Sequence, residues 1–135
     1  MTMPIQPLSN RAVVETYFHS LATGDLATLG ALLDDNVRWH QPGHGSLSRE
    51  YIGKADVFGL FGEFMTRSAG SFRIDAVDAI MENGPLVSAT LRFSAKREGA
   101  SMEMAGIDLM RVENGTIREV WLFSSDPSAE DVFWG

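Results

Sequence analysis

Met104-Ala105-Gly106-Ile107-Asp108-Leu109-Met110 sets a single carboxylate inside an apolar, strand-like run. An ionised carboxylate buried without partners costs several kcal/mol, so such a group either pairs or takes up a proton and becomes a neutral hydrogen-bond donor. In the wider strand Ser101 to Val112, alternation puts Met102, Met104, Gly106, Asp108, Met110 and Val112 on one face. Glu103, Ala105, Ile107, Leu109 and Arg111 share the other. Both faces are largely apolar, so one covers helices and the other meets a partner.

Outward from this strand the period stays at 2. Strands are predicted over Phe72 to Met81, Leu86 to Lys96 and Thr116 to Ser124, divided by Glu82-Asn83-Gly84-Pro85, Arg97-Glu98-Gly99-Ala100 and Glu113-Asn114-Gly115. Asn83-Gly84 and Asn114-Gly115 signal hairpins, so antiparallel neighbours are expected. Val87, Ala89, Leu91 and Phe93 alternate with Ser88, Thr90, Arg92 and Ser94, as in a half-buried strand. The last strand sets Ile117, Glu119, Trp121 and Phe123 against Arg118, Val120 and Leu122, and with its neighbour predicts a homodimer through the sheet.

Earlier in the chain the spacing is helical. Ser9 or Asn10 caps a helix bearing Val13, Val14, Tyr17, Phe18 and Leu21, which Gly24 ends. Asp25 caps a second helix with Leu26, Leu29, Leu32 and Leu33, stopping near Asp34-Asp35-Asn36. Val37 to Gln41 reads as a short strand with Val37, Trp39 and Gln41 on one face and Arg38 and His40 on the other. The long loop Gly43 to Gly53 reads as a lid or rim. A third helix, from about Lys54 to about Arg67, carries Val57, Phe58, Phe61, Phe64 and Met65. Helices first and a meander afterwards predict an α+β fold.

Composition narrows the function. The chain has 135 residues, 44% hydrophobic and 21% charged, which predicts one domain over 1–135 with enough chain for a core. A net charge of -7, with 11 scattered basic residues, argues against nucleic acid and anionic membrane partners. There is no cysteine, so disulfides and thiolate metal sites are excluded. Met1 to Asn10 lacks the features of an export signal, and no apolar run approaches the roughly 18 residues of a spanning helix, so a cytoplasmic location is expected.

Together these motifs resemble the NTF2-like superfamily, in its SnoaL-like and ketosteroid-isomerase-like members. Val13-Val14-Glu15-Thr16-Tyr17, Leu21 and Gly24-Asp25-Leu26 are similar to the isomerase's first helix, and Ile107-Asp108-x-x-Arg111-Val112 with Gly115-x-Ile117 to its penultimate strand. Trp39-His40-Gln41-Pro42-Gly43, Leu47-Ser48, Tyr51-Ile52-Gly53, Asp126, Asp131 and Phe133-Trp134 are more like SnoaL-type sequences. The resemblance implies a cone of three N-terminal helices on a curved, mostly antiparallel sheet around a cavity. It places Tyr17 at the oxyanion-hole tyrosine and Asp108 at the protonated oxyanion-hole acid. The isomerase's general base precedes the proline that ends the first strand, and here that residue is Gln41, whose amide takes no proton near neutral pH. Steroid isomerisation by that mechanism is therefore not expected.

Candidate roles follow. Asp108 and Tyr17 are candidate catalytic donors, each with a structural reading beside it: a satisfied buried acid and a core tyrosine. His40 and His44 are candidate bases, although alternation turns His40 away from Trp39 and Gln41 unless a bulge reverses it. The two histidines lack a third metal ligand, so no metal is expected, and no cofactor is implied. Trp39, Gln41, Phe58, Phe61, Met104, Met110, Trp121 and Phe123 are expected to line the cavity. The tail Val132-Phe133-Trp134 either closes the cavity, crosses a dimer, or docks as a terminus. Two functions fit. One is acid-base chemistry (isomerisation, aldol cyclisation or dehydration) on a small apolar or cyclic carbonyl compound, and the other is a ligand-binding or dimerisation module without chemistry.

Overall fold

The computed structural model describes residues 8–135; residues 1–7, on which the reading of no export signal largely rests, lie outside it. The helices form where caps and apolar spacing agree. Helix α1 (Asn10–Thr23) starts at Ser9, whose side chain accepts from the Ala12 N–H, and ends at Gly24, whose φ of 70° permits the left-handed cap. Val13, Val14, Tyr17 and Phe18 are buried, and burying each such side chain is worth roughly 1.5–3 kcal/mol. Asp25 caps α2 (Leu26–Leu32) by accepting from the Thr28 N–H. Helix α3 (Lys54–Arg67) has the predicted bounds and buries Val57, Leu60 and Phe64.

Six strands form one sheet: β1 (Leu33–His40), β2 (Glu50–Ile52), β3 (Arg73–Asn83), β4 (Leu86–Arg97), β5 (Ala100–Glu113) and β6 (Thr116–Ser124), in the order β2-β1-β6-β5-β4-β3. The meander β3 to β6 is antiparallel, while β1 lies parallel to β6. At the β5–β6 turn, Asn114 and Gly115 both take positive φ, 51° and 77°, which a two-residue primed turn requires. The inward face of β4, Val87, Ala89, Leu91 and Phe93, is buried as its alternation predicts. Helix α1 packs across β3, β4, β5 and β6.

Several local expectations give way. Strand β1 begins at Leu33 rather than Val37, because Asp34 and Asn36 lie in extended backbone beside β6, with Asp34 paired to Arg118 at 3.0 Å. The loop Gly43 to Gly53 is shortened by β2, which pairs with the end of β1. The β3–β4 turn is Gly84-Pro85, with Asn83 still in the strand. In β6 the register slips: Arg111 faces Glu119 and Val112 faces Ile117, leaving Arg118 as a bulge. Ile117 and Val120 are therefore both buried, against the expected alternation.

A fourth helix, α4 (Pro127–Trp134), follows the sheet, one more than the three expected. Asp126 caps it and Pro127 opens it, the arrangement a helix start favours. Its tail docks: Phe133 and Trp134 are buried, Trp134 against Phe64 and Phe72, while Val132 stays exposed. Arg97 Nε donates to the Phe133 carbonyl (2.9 Å) and Arg67 to the Trp134 carbonyl (2.8 Å), so cations meet the helix's negative end.

Candidate functional site

Between the helices and the sheet lies a pocket of about 880 Å³. Its walls are mainly apolar and aromatic, with Phe18 and Leu29 from the opening helices, Trp39 from β1, Phe58 and Phe61 from α3, and Leu91 and Leu122 from the sheet. Four acidic or phenolic groups border it: Tyr17 of α1, Asp108 of β5 and Glu130 of α4, and Asp75 of β3, which is paired with Arg73 at 2.6 Å.

Strand pairing explains the state of Asp108. Its neighbours across the ladder are Ala89 on one side and Leu122 on the other, neither with a polar side-chain atom to offer. Among the described residues no protein group donates a hydrogen bond to its carboxyl, although the residue is only 8% exposed. Burial, reinforced by the nearby charge of Glu130, raises its pKa to about 7. The Tyr17 hydroxyl is likewise buried, and burial together with Asp108 pushes its pKa well up, which keeps the phenol protonated. No hydrogen bond joins Tyr17 to Asp108. Both polar ends are directed to the pocket rather than consumed by each other.

Glu130 differs from Asp108. It is 7% exposed, and its carboxylate accepts from Ser124 Oγ at 2.5 Å and from Trp134 Nε1 at 3.2 Å. Burial raises its pKa, and the two donors oppose that rise.

The residues singled out from the sequence divide between two places. Trp39, Gln41, Phe58 and Phe61 border the pocket with Asp108 and Tyr17, whereas Phe123 touches its edge from the outward-facing register that follows the Arg118 bulge and is 53% exposed. The Gln41 amide oxygen accepts from Trp39 Nε1 at 3.1 Å. Met104, Met110 and Trp121 lie elsewhere. Met110 is fully buried in the core, Met104 packs against that core, and Trp121 follows the Arg118 bulge onto the outward face. There it stacks on His40, centroids 5.5 Å apart.

Neither histidine borders the pocket. No bulge turns His40 inward: its Nε2 meets Glu119 Oε2 at 2.6 Å on the outward face. His44 is exposed on the loop, where its backbone N–H donates to Asp131 Oδ2. Among the described residues no three His, Asp or Glu side chains are placed to hold a metal ion. No described helix is long and apolar enough to cross a membrane. Glu130 is a buried acid of the pocket that sequence reasoning missed, and the signal available was the helix start Asp126-Pro127, which would have put Glu130 on the first turn of a docking helix.

This α+β arrangement, with helices over one face of a mostly antiparallel sheet and a pocket between, defines an NTF2-like protein. The chain belongs to the SnoaL-like domain family, whose sequence profile matches residues 14–120. A protein of unknown function with a cystatin-like fold from Xanthomonas campestris is 41% identical, with 95% of this chain and 99% of that one covered and a TM-score of 0.91. Bal32a, from a soil-derived mobile gene cassette, shares 24% identity over 93% of this chain and 96% of its own, at a TM-score of 0.88. TerC, co-crystallized with polyporic acid, shares the fold at 13% identity, covering 93% and 98% of the two chains with a TM-score of 0.79. No protein of curated function matches the sequence.

Proposed function

We propose that this chain binds a small, largely apolar carbonyl compound in the pocket and catalyses proton transfer on it, as in isomerisation, aldol cyclisation or dehydration. The observation that carries this reading is the Asp108 carboxyl, buried, unpaired and open to the pocket. A protonated Asp108 and the Tyr17 hydroxyl donate to the carbonyl oxygen and stabilise the negative charge that grows there when a neighbouring C–H loses its proton. Fixed donors in a dry site are worth a few kcal/mol each to such a transition state. The chemistry calls for no cofactor, since proton transfer generates the enolate, which is reprotonated in an isomerisation, attacks a second carbonyl in an aldol cyclisation, or expels a β-hydroxyl as water in a dehydration. A cyclic or polyketide-like ligand suits the aromatic walls. A screen of carbonyl compounds followed by ultraviolet absorbance tests the proposal, with Asp108→Asn losing turnover while remaining folded.

One observation favours a second reading, a binding module without chemistry. The residue at the base position of the resembling isomerases is Gln41, engaged with Trp39, and both histidines lie outside the pocket. Ligand affinity unaccompanied by turnover in that screen would select it. In either case we propose a homodimer through the outward sheet face, where Phe123 is 53% and Ile107 39% exposed. Light scattering that finds only monomer at micromolar concentration contradicts the dimer.

A further inference from the structure

We propose that Glu130, carried by the C-terminal helix α4, is the general base of this pocket, and that its substrates are neutral rather than anionic carbonyl compounds. This rests on the reading of Asp108 and Tyr17 as donors and supplies the half of the reaction that Gln41, His40 and His44 leave without a residue.

The placement comes from strand register. Gly106 and Asp108 lie two residues apart on one face of β5, a separation of about 7 Å. Gly106 pairs with Ser124 as Asp108 pairs with Leu122. Ser124 holds the carboxylate of Glu130, so Glu130 comes down over the Gly106–Ser124 pair, one side-chain step along the sheet from Asp108. Gly106 borders the pocket and puts no side chain between the two carboxyls. A ligand whose carbonyl oxygen sits at Asp108 and Tyr17 can therefore set its adjacent carbon toward Glu130.

The two carboxyls are sorted by their partners. Two buried carboxylates that interact resist ionising together, so one retains a proton. Asp108 receives no hydrogen bond that would stabilise its anion, whereas Glu130 receives two, one of them from an indole N–H that can only donate. The proton therefore resides on Asp108 and the negative charge on Glu130, which gives the acid to the oxygen and the base to the carbon. The groups around Glu130 leave that charge without a cation. Asp108 interacts with it from β5, Tyr17 and Asp75 border the same pocket from α1 and β3, and Asp131 is its neighbour on α4. Arg97 and Arg67 reach α4 only at the carbonyls of Phe133 and Trp134. Among the described residues the one cation bordering the pocket, Arg73, has a side chain 76% exposed and paired with Asp75. An anionic ligand would meet two buried acids and, among the described residues, no buried cation, which is the basis for the preference for neutral compounds.

The step balances as a proton transfer. Glu130 takes the proton from the carbon beside the carbonyl, and the C–H pair becomes the enolate double bond. The carbonyl oxygen takes the charge under the donors Asp108 and Tyr17. Glu130 then returns the proton to that carbon or another.

The test uses 2-tetralone, a neutral bicyclic ketone, and 2-naphthol, which has the shape of its enol. The full chain is expected to accelerate exchange of the ketone's α-protons in deuterium oxide, read by proton NMR, and to bind 2-naphthol, read by fluorescence. Glu130→Gln keeps the side chain's shape and is expected to lower kcat for exchange by about 100-fold or more while 2-naphthol affinity is retained. Ser124→Ala leaves the carboxylate but removes one donor, so it is expected to move the acid limb of the pH–rate profile upward, an effect that a merely structural contact would not produce. That shift decides the matter if Glu130→Gln fails to fold. Full exchange by Glu130→Gln with 2-naphthol still bound would overturn the assignment and leave the donor site standing. Wild-type protein that neither binds 2-naphthol nor exchanges 2-tetralone would overturn both. Tighter binding of 1-naphthoate than of 2-naphthol would overturn the neutral-substrate preference.

Discussion

The two faces of the sheet handle charge in opposite ways. On the outward face His40 lies between Glu119 and Glu50, Arg38 meets Glu50, and Arg111 reaches both Glu113 and Glu119. Glu50, Glu113 and Glu119 there each have a cationic or ionisable partner. On the inward face Asp108 and Glu130 have no cation, and their environment is set by burial. Paired surface charges contribute little, about 0–1 kcal/mol each. An unpaired buried acid raises the energy of the folded state when ionised, and groups perturbed in this way cluster at functional sites.

The largest expected consequence is in stability against pH. The folded pKa of Asp108, about 7, stands above its unfolded value, so the folded chain holds a proton that the unfolded chain has lost. Stability is therefore fullest below about pH 4 with respect to this group, and is lost as pH rises through about 7. The three-unit difference corresponds to about 4 kcal/mol. Glu130, also raised, acts in the same direction. Urea midpoints measured from pH 4 to pH 8 should fall in the wild type and stay flatter in Asp108→Asn, which should be the more stable protein at pH 8. A wild-type midpoint that rises over this range would contradict the unpaired state of Asp108.

Next in size is turnover. Removing the carboxylic donor should lower kcat by about 100- to 1000-fold in Asp108→Asn, the usual loss for one oxyanion donor. The pH–rate profile should descend above about 7 as the Asp108 proton leaves. The pair titrates together, so the limbs report the two carboxyls jointly.

Smaller still is the expected effect at Gly106. A Cβ there would sit 2.7 Å from the Phe123 carbonyl oxygen and 3.1 Å from the Phe93 ring, so Gly106→Ala should destabilise by about 1–3 kcal/mol and narrow the pocket. Thermal melts and 2-naphthol titration together read both effects. The smallest change belongs to the outward face. His40→Ala loses the contact with Glu119 and should cost about 1 kcal/mol or less, with kcat unchanged. A large loss of kcat there would reverse the assignment of the two faces.

What the sequence disclosed follows the range of the forces involved. Helix α3 and strand β6 carry local signals strong enough to fix their ends, and Asn114-Gly115 marks its turn because both residues tolerate positive φ. Asp108 stood out because a charge in an apolar run is costly in any fold. The start of β1 was hidden, since Asp34-Asp35-Asn36 reads locally as a helix stop and becomes strand only by pairing with β6, far along the chain. One extra residue at Arg118 reverses the faces after it, which moved Trp121 from the expected cavity wall to the outward face. Glu130 was hidden for a related reason: its burial depends on how α4 docks, and an isolated acidic residue on a short helix reads as solvated.

The central claim is that Asp108 holds its proton in the folded pocket near neutral pH. A carbon-13 NMR titration of its side-chain carboxyl, assigned by comparison with Asp108→Asn, measures this directly. The account predicts a midpoint near 7, falling in Glu130→Gln as the neighbouring charge is removed. A midpoint near 4, the ordinary range of an aspartate in water, would contradict it.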